Sequence, residues 1–354
     1  DSIDSWIDTL GEQTSLSVSH TFGTTGKLSF LPRGHSQWYE MIRIMGNYIR
    51  DWHGNGQGPD LFKNHLPFIQ PHYRDGAAAV IRGTLMQIEV FSGGADNALF
   101  LFPDRMSADV ASLAGRIRVA EARGERGRLQ IPKALLAKRE EFIRREQERP
   151  ERMKKFFEQA IARFGGQPVI LCGVWPIFFD AAEEALRLGV REVFAPGSVL
   201  IAGGGSKGRE LPENWREMIF EFLGFRQYYE IYSMSELMAS CPACEEGRYH
   251  IPPVIVPFLL DPKTGEALPR AGKQTGRFAF LDLLPDNYWG GLVSGDEVSM
   301  GGWDEPCSCG RQGPFMEREI RRYSDKEGGD DKISCAGAQE AHDNAIAYII
   351  EAGE

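Results

Sequence analysis

Residues 169–232 limit the fold of this chain most strongly, because strand-like and helical patterns alternate there. Strands are predicted at Val169–Cys172, Val199–Ala202 and Gln227–Tyr232, each a short apolar run. Helices are predicted between them, at Ile177–Leu188 and from Pro212 to Leu223. This spacing predicts parallel βαβ units in an α/β fold, with ligands bound at the carboxyl ends of the strands.

The flanking sequence predicts further elements. Helices are predicted at Ser36–Trp52, Ser107–Arg123, Lys133–Glu148 and Glu151–Phe164, the last two separated by Pro150. Thr84–Phe91 alternates loosely and is predicted as a strand, whereas Pro59–Asp75 is predicted as a loop. From Val254 onward the pattern changes to strands and turns, so a β-rich part is expected after the βαβ part.

Composition excludes several classes of partner. The 354 residues carry a formal net charge of −10, which argues against nonspecific binding to nucleic acid or to an anionic membrane. No apolar run approaches the roughly 18 residues of a membrane span. Six cysteines, four of them in two close pairs, suggest metal ligands or reactive thiols in a reducing compartment. We therefore expect a cytoplasmic protein.

Residues 21–27, Thr-Phe-Gly-Thr-Thr-Gly-Lys, have the composition of a phosphate-binding loop. Two glycines permit turns in which backbone N–H groups converge on an anion, while the threonine hydroxyls and Lys27 add donors. The spacing is not that of a Walker A loop, and Leu28 follows the lysine where a magnesium-binding hydroxyl would stand. Taken alone, such a heptamer is also typical of a polar surface turn.

Three further stretches carry polar chemistry. Gly203–Gly208 follows a predicted strand, and its glycines would let the backbone approach a flat ring against which Tyr232 can lie. Residues 232–236, Tyr-Ser-Met-Ser-Glu, follow the next strand. Asp296, in Ser294-Gly295-Asp296, is a natural bidentate acceptor for a diol. The structural alternatives are a tight turn for the glycines and a helix cap for Glu236.

Two cysteine pairs and a histidine are candidate metal ligands. The pairs have C-x2-C and C-x-C spacing, and a tetrahedral zinc needs four such ligands. The five candidates for these four places are Cys241, Cys244, His250, Cys307 and Cys309. Reduced, buried cysteines without metal are the alternative.

In this order, the motifs resemble those of the acyl-adenylate-forming enzymes. The family's phosphate loop, its glycine-rich turn beside adenine, its Y-G-x-T-E motif and its T-G-D motif correspond to the stretches above. The resemblance implies ATP and magnesium, with Glu236 holding the metal beside Ser235 and Asp296 binding the ribose. It implies nucleotide contacts from Thr21, Gly23, Thr24, Thr25, Gly26, Lys27, Gly203, Gly204, Gly205 and Tyr232. Lys27 and Glu236 are thereby also candidate catalytic residues.

Cys307-Ser308-Cys309-Gly310-Arg311 is similar to a C-x-C-G-R segment of the phenylacetate–CoA ligase branch. The similarity implies a nucleotide or positioning role for Arg311, a surface ion pair being the alternative. Aromatic-acid ligases of that branch carry a structural zinc, usually on three cysteines and one histidine, so the resemblance implies structural zinc here.

The C-terminal residues resemble one particular branch. Asp331-Lys332 is similar to the family's hinge, after which a lid of about a hundred residues normally follows; here 19 residues follow Cys335. The acyl-protein synthetase (long-chain-fatty-acid–protein ligase) branch has this short end and a reactive cysteine within it. The resemblance implies transfer of an activated fatty acid to Cys335 and then to a protein such as a reductase. A single cysteine is otherwise more often inert.

The predicted organisation is a catalytic body at 1–315 and a short hinge and arm at 316–354. Within the body, the βαβ part extends to about residue 240 and a β-rich, zinc-containing part occupies 241–315. The family has many more residues before its phosphate loop, so an N-terminal part is expected to be missing. The alternatives are a CoA ligase, a non-catalytic nucleotide-binding subunit and a zinc-stabilised interaction module.

Overall fold

A computed structural model of the protein describes residues 2–21, 27–51, 58–204, 210–323 and 338–352. The fold is mixed α/β, as the sequence predicts. Its strands are β1 (Leu16–His20), β2 (Phe30–Gly34), β3 (Phe68–Gly76), β4 (Ala98–Met106), β5 (Ile170–Val174), β6 (Val199–Gly203), β7 (Tyr228–Tyr232), β8 (Cys241–Pro242), β9 (Tyr249–His250), β10 (Ile255–Leu260), β11 (Gln274–Asp282), β12 (Gly291–Gly301), β13 (Phe315–Met316) and β14 (Arg321–Arg322).

The helices cover the sheets and connect the strands. They are α1 (Ile3–Gln13), α2 (His35–Asp51), α3 (Leu61–Asn64), α4 (Ala79–Ser92), α5 (Ala108–Ala122), α6 (Lys133–Leu136), α7 (Arg139–Phe164), α8 (Trp175–Arg187), α9 (Trp215–Leu223) and α10 (Ala338–Glu351), with single 3-10 turns at Ala95–Asn97 and Arg126–Arg128. None of the helices described here is long and apolar enough to span a bilayer.

A six-stranded sheet forms the first part of the fold, in the order β4-β3-β5-β6-β7-β8. Its first five strands are parallel and β8 is antiparallel to β7. Alternate residues of β6 enter two separate hydrophobic clusters, Val199 and Ile201 on one face and Leu200 and Ala202 on the other. Both faces are therefore buried, as expected of a parallel sheet in βαβ units.

A second, antiparallel sheet has the order β10-β11-β12-β13-β9, and β14 pairs with β12. It confirms the expected change to strands and turns after residue 254. The strands β1 and β2 form a separate hairpin that flanks the predicted phosphate loop. His20, at the end of β1, bridges to Ala78, which places the hairpin beside the start of α4.

Three local predictions are wrong. Thr84–Phe91 is predicted as a strand but lies in the helix α4. The helix is buried on most of its surface, so its sequence lacks the helical periodicity that would have identified it. Pro59–Asp75 contains α3 and most of β3, in which Pro71 lies at a register shift between Gln70 and Tyr73. Pro150 does not separate two helices, since α7 continues through it.

The C-terminal helix α10 packs on α5 and α7. Its buried residues Ala345, Ile346 and Ile349 join a hydrophobic cluster with Val110 and Leu113 of α5. Arg149 of α7 donates a hydrogen bond of 2.7 Å to Asp343 of α10. Residues 338–351, assigned by sequence to the hinge and arm, are thus attached to the body.

Candidate active site and cysteine–histidine cluster

The glycine-rich turn and the Tyr232–Glu236 segment follow neighbouring parallel strands, β6 and β7. A Cβ at Gly203 would lie 2.5 Å from the Ile231 carbonyl oxygen, so only glycine fits this position. Gly204 has φ +75°, a backbone conformation that favours glycine. Both segments therefore leave the same edge of the sheet, as the sequence predicts for residues that follow neighbouring parallel strands.

Asp296 joins this edge of the parallel sheet to the second sheet. The Tyr232 hydroxyl donates a hydrogen bond of 2.7 Å to Asp296 Oδ2. Arg322 Nε of β14 lies 3.4 Å from Asp296 Oδ1, and Asp296 is 5% exposed. Burial, followed by the Asp296 charge, raises the pKa of the Tyr232 hydroxyl well above its ordinary value. Both carboxylate oxygens have partners, yet each retains lone pairs for a further donor.

Glu236 is half-buried in the turn after β7. Burial raises the pKa of its carboxyl above the ordinary value, and the charges of Arg33 and Arg322 oppose that rise. The residues after it are fixed by Asp282 at the end of β11, whose Oδ2 accepts a hydrogen bond of 2.7 Å from Met238 N–H. The carboxylate of Glu236 therefore lies on a restrained segment, as a metal ligand would require.

The predicted phosphate loop, residues 21–27, lies in sequence between β1 and β2 of the hairpin. Thr21 is buried, and its Oγ1 accepts a hydrogen bond of 3.1 Å from Ser29 N–H, while Thr21 N–H donates to Ser29 O at 3.0 Å. Lys27 is exposed. Gly23, Thr24, Thr25, Gly26 and, in the glycine-rich turn, Gly205 lie outside the described residues.

Four of the five metal-ligand candidates form one cluster. The ligand atoms of Cys244, His250, Cys307 and Cys309 all lie within 4.8 Å of one another. Three thiols and an imidazole are a typical ligand set for tetrahedral zinc, so this group fits the metal. The fifth candidate, Cys241, is fully buried on β8 and its sulfur is not part of the cluster.

Two turns of the same kind present the cysteines. Cys244 N–H donates to Arg248 O and Gly247 N–H donates to Cys244 O, both at 2.8 Å. Cys307 N–H donates to Arg311 O at 2.9 Å and Gly310 N–H to Cys307 O at 2.8 Å. Each turn also has a glycine with positive φ at its fourth residue. Gly247, at +73°, follows Cys244 by three positions, and Gly310, at +84°, follows Cys307 by three positions. His250 reaches the cluster from β9.

Arg311 lies beside this cluster. Its Nη1 donates a hydrogen bond of 2.8 Å to Glu245 Oε2, and Arg311 closes the turn that begins at Cys307. Its observed partner is thus a carboxylate of the cysteine segment, and a nucleotide or positioning role for it stays a prediction. Cys335 lies outside the described residues.

Three residues at the site were not found by sequence reasoning. Arg33 donates to the Ser235 carbonyl and to the Tyr288 hydroxyl, and Arg322 pairs with Asp296. Neither Arg33 nor Arg322 belongs to a recognisable sequence motif. Tyr288 lies in the connection between β11 and β12, where no sequence pattern indicates a functional residue. Their contacts join residues far apart in sequence, which no local pattern indicates.

No protein-family model and no curated protein matches the sequence. Among solved structures, the chain is similar to 2-hydroxyisobutyryl-CoA ligase in an open conformation with 2-HIB-AMP and CoA (TM-score 0.48, 16% identity, 87% of this chain and 53% of that chain). It is similar to ATP-bound MatB from Rhodopseudomonas palustris (TM-score 0.48, 15% identity, 87% and 48%). A luciferase-like enzyme from the nonluminescent mealworm Zophobas morio gives TM-score 0.43, 10% identity, 86% and 56%. The chain spans about half the length of these solved structures.

Proposed function

We propose that this chain is the body of an ATP-dependent, AMP-forming ligase that activates a carboxylic acid. The observation that carries the proposal is the 2.7 Å hydrogen bond between Tyr232 and Asp296. It joins two motifs, 64 positions apart, that the family resemblance assigns to one nucleotide. A buried Tyr–Asp pair can also serve stability alone, so nucleotide binding is the property to test.

In the proposed reaction a carboxylate oxygen of the acid bonds to the α-phosphorus of ATP, and the bond to pyrophosphate breaks. The loop at 21–27 neutralises the β- and γ-phosphates through Lys27 and its N–H groups. Asp296 would accept hydrogen bonds from the ribose, and Glu236 would hold magnesium, which would screen charge on the phosphates. Catalysis here is positioning and charge stabilisation rather than proton transfer by a side chain.

Measurement of ATP binding tests the proposed role of Asp296 directly. Asp296→Asn removes the charge and one acceptor oxygen while keeping the shape of the side chain. We expect ATP affinity to fall by about 10- to 100-fold, the equivalent of roughly 1.5–3 kcal/mol for hydrogen bonds to a charged group. Asp286→Asn is the control, because Asp286 is exposed on the nearby turn. Equal ATP affinity in the two variants would show that Asp296 does not bind the nucleotide.

A second experiment addresses the acid. Acid-dependent ATP–pyrophosphate exchange, measured over fatty and aromatic acids, then identifies the substrate class.

For the second step we propose transfer to Cys335. Its thiolate bonds to the acyl carbon, AMP leaves, and a thioester remains for an acceptor protein. Radiolabelled acid with ATP should leave label that neutral hydroxylamine releases, and Cys335→Ser should abolish it while pyrophosphate exchange continues. Cys172→Ser is the control, since burial raises the pKa of that thiol to about 11. Unlabelled protein together with consumption of CoA would favour the CoA-ligase alternative.

We also propose that Cys244, His250, Cys307 and Cys309 hold a structural zinc. Four protein ligands complete its tetrahedral coordination and leave no open position for substrate, so its contribution is to stability. The zinc would join the segment that follows Glu236 to the segment that carries Arg311.

A further inference from the structure

Arg33 is a buried arginine that connects two parts of the candidate active site. It lies on β2, the strand that follows the predicted phosphate loop, and it is 1% exposed. Its Nη2 donates a hydrogen bond of 2.6 Å to the carbonyl oxygen of Ser235, in the turn after β7. Because Glu236 is the next residue, one side chain joins the loop's hairpin to the predicted magnesium ligand.

Two aromatic residues fix the orientation of this guanidinium. Nε and Nη2 donate to the Tyr288 hydroxyl at 3.2 and 3.0 Å. The guanidinium carbon lies 4.8 Å from the centroid of the Trp38 ring. A planar group held by two acceptors and a ring cannot turn without losing these contacts. Arg33 is therefore a rigid connection.

The charge of Arg33 is buried and is hydrogen-bonded to neutral groups. Its hydrogen-bond acceptors within the described ranges, a carbonyl and a hydroxyl, are both neutral. Burying a guanidinium on neutral acceptors is costly, and an apolar side chain would fill the space with less loss of solvation. A buried charge thus lies where the hairpin meets the Ser235–Glu236 segment.

We propose that Arg33 is a positioning residue that holds the Ser235–Glu236 segment at a fixed place relative to the β1–β2 hairpin. The inference rests on the proposed function, since it takes Glu236 as the magnesium ligand. Arg33 acts through Ser235 and does not itself contact nucleotide or metal. Its replacement should therefore weaken the part of ATP binding that depends on magnesium and leave metal-free ATP binding unchanged.

The experiment measures the dissociation constant of ATP by calorimetry, with magnesium and with EDTA, and does not need turnover. Arg33→Lys keeps the charge but replaces the planar fork by one point donor that cannot serve both acceptors. We expect the gain in ATP affinity from magnesium to fall about tenfold in Arg33→Lys, with the affinity in EDTA within twofold of wild type. Tyr288→Phe removes one acceptor only, and we expect a two- to threefold fall. Arg43→Lys is the control, because Arg43 lies on α2 in an exposed ion pair with Glu40.

Two results would overturn the inference. In one, Arg33→Lys and Tyr288→Phe keep the magnesium dependence of the wild type. In the other, they lose ATP affinity equally with and without magnesium, as a general structural role would produce. Failure of the proposed function looks different, because the wild type itself would then bind no ATP under either condition.

Discussion

Replacing Tyr232 by phenylalanine tests the contact on which the candidate site depends. The substitution removes the hydroxyl that bonds Asp296 at 2.7 Å and keeps the ring. The ring packs on Phe278 and Tyr249, with centroids 6.0 and 6.2 Å away, so the packing is preserved. Any change in stability then reports the hydrogen bond.

The expected loss of unfolding free energy follows from the acceptor. A buried hydrogen bond to a charged group contributes about 1.5–3 kcal/mol. The unfolding entropy is about 2.1 cal/mol/K per residue, so for 354 residues each kcal/mol lowers the melting temperature by about 1.3 °C. Tyr232→Phe should therefore lower it by about 2–4 °C, measured by circular dichroism at neutral pH.

Tyr249→Phe is the matched control. Tyr249 is buried beside Tyr232, and its hydroxyl has no hydrogen-bond partner among the residues that the structure describes. We expect this variant to melt within about 1 °C of wild type, because the hydroxyl that it removes has no partner in the described part of the chain. A Tyr232→Phe variant no less stable than Tyr249→Phe would refute the assignment of a stabilising Tyr232–Asp296 bond.

Three other predictions concern metal, pH and the C-terminal helix. Protein purified without chelator should contain one zinc, which Cys244→Ala loses and Cys241→Ala keeps; metal analysis finding no zinc in the wild type would contradict the proposed site. Burial lowers the pKa of His72 to about 4 from 6.5, so the neutral imidazole is favoured in the folded state and stability falls as pH drops from 6.5 towards 4. The loss at pH 5 is about 2 kcal/mol in urea titrations, and His72→Gln should remove most of it; an unchanged pH dependence in that variant would assign the effect elsewhere. Ile349→Ala, a fully buried position on α10, should cost about 2–5 kcal/mol in the same titrations, whereas a loss below 1 kcal/mol would mean that α10 contributes little to global stability.

The strands and motifs at the site were predictable because they depend on local patterns. β5, β6 and β7 are apolar runs between helical stretches, and their order along the chain implies a common edge for the residues that follow them. The contacts made by Arg33 were not predictable, since they depend on how the hairpin lies against the sheet. Among the five metal candidates, sequence spacing could not exclude Cys241. Cys241 pairs with Tyr232 across β7 and β8, and this pairing between strands is not visible in the spacing of the cysteines.

Local prediction failed where tertiary contacts outweigh propensity. Pro150 removes one backbone hydrogen bond from α7, yet Arg149 and Arg152 on either side of it bind Asp343 and Asp104 at 2.7 and 2.6 Å. These contacts to α10 and β4 hold both halves of the helix in place. The burial of α4 on most sides likewise hides the periodicity by which a helix is recognised.

The paired cysteine turns have a consequence for the folding of the second sheet. Cys244 and Cys307 bracket a stretch of about sixty residues that contains β10, β11 and β12, so a metal bound between the turns closes this stretch into a loop. Closing a loop of that length lowers the conformational entropy of the unfolded chain by the equivalent of about 4 kcal/mol at room temperature, if a metal clip behaves as a covalent cross-link does. The advantage arises before β10, β11 and β12 have paired, since the metal needs only the two turns and His250 of the short strand β9. The order in which β10, β11 and β12 assemble would then depend on metal supply during synthesis, and the parallel sheet, whose strands lie outside the loop, would fold without it.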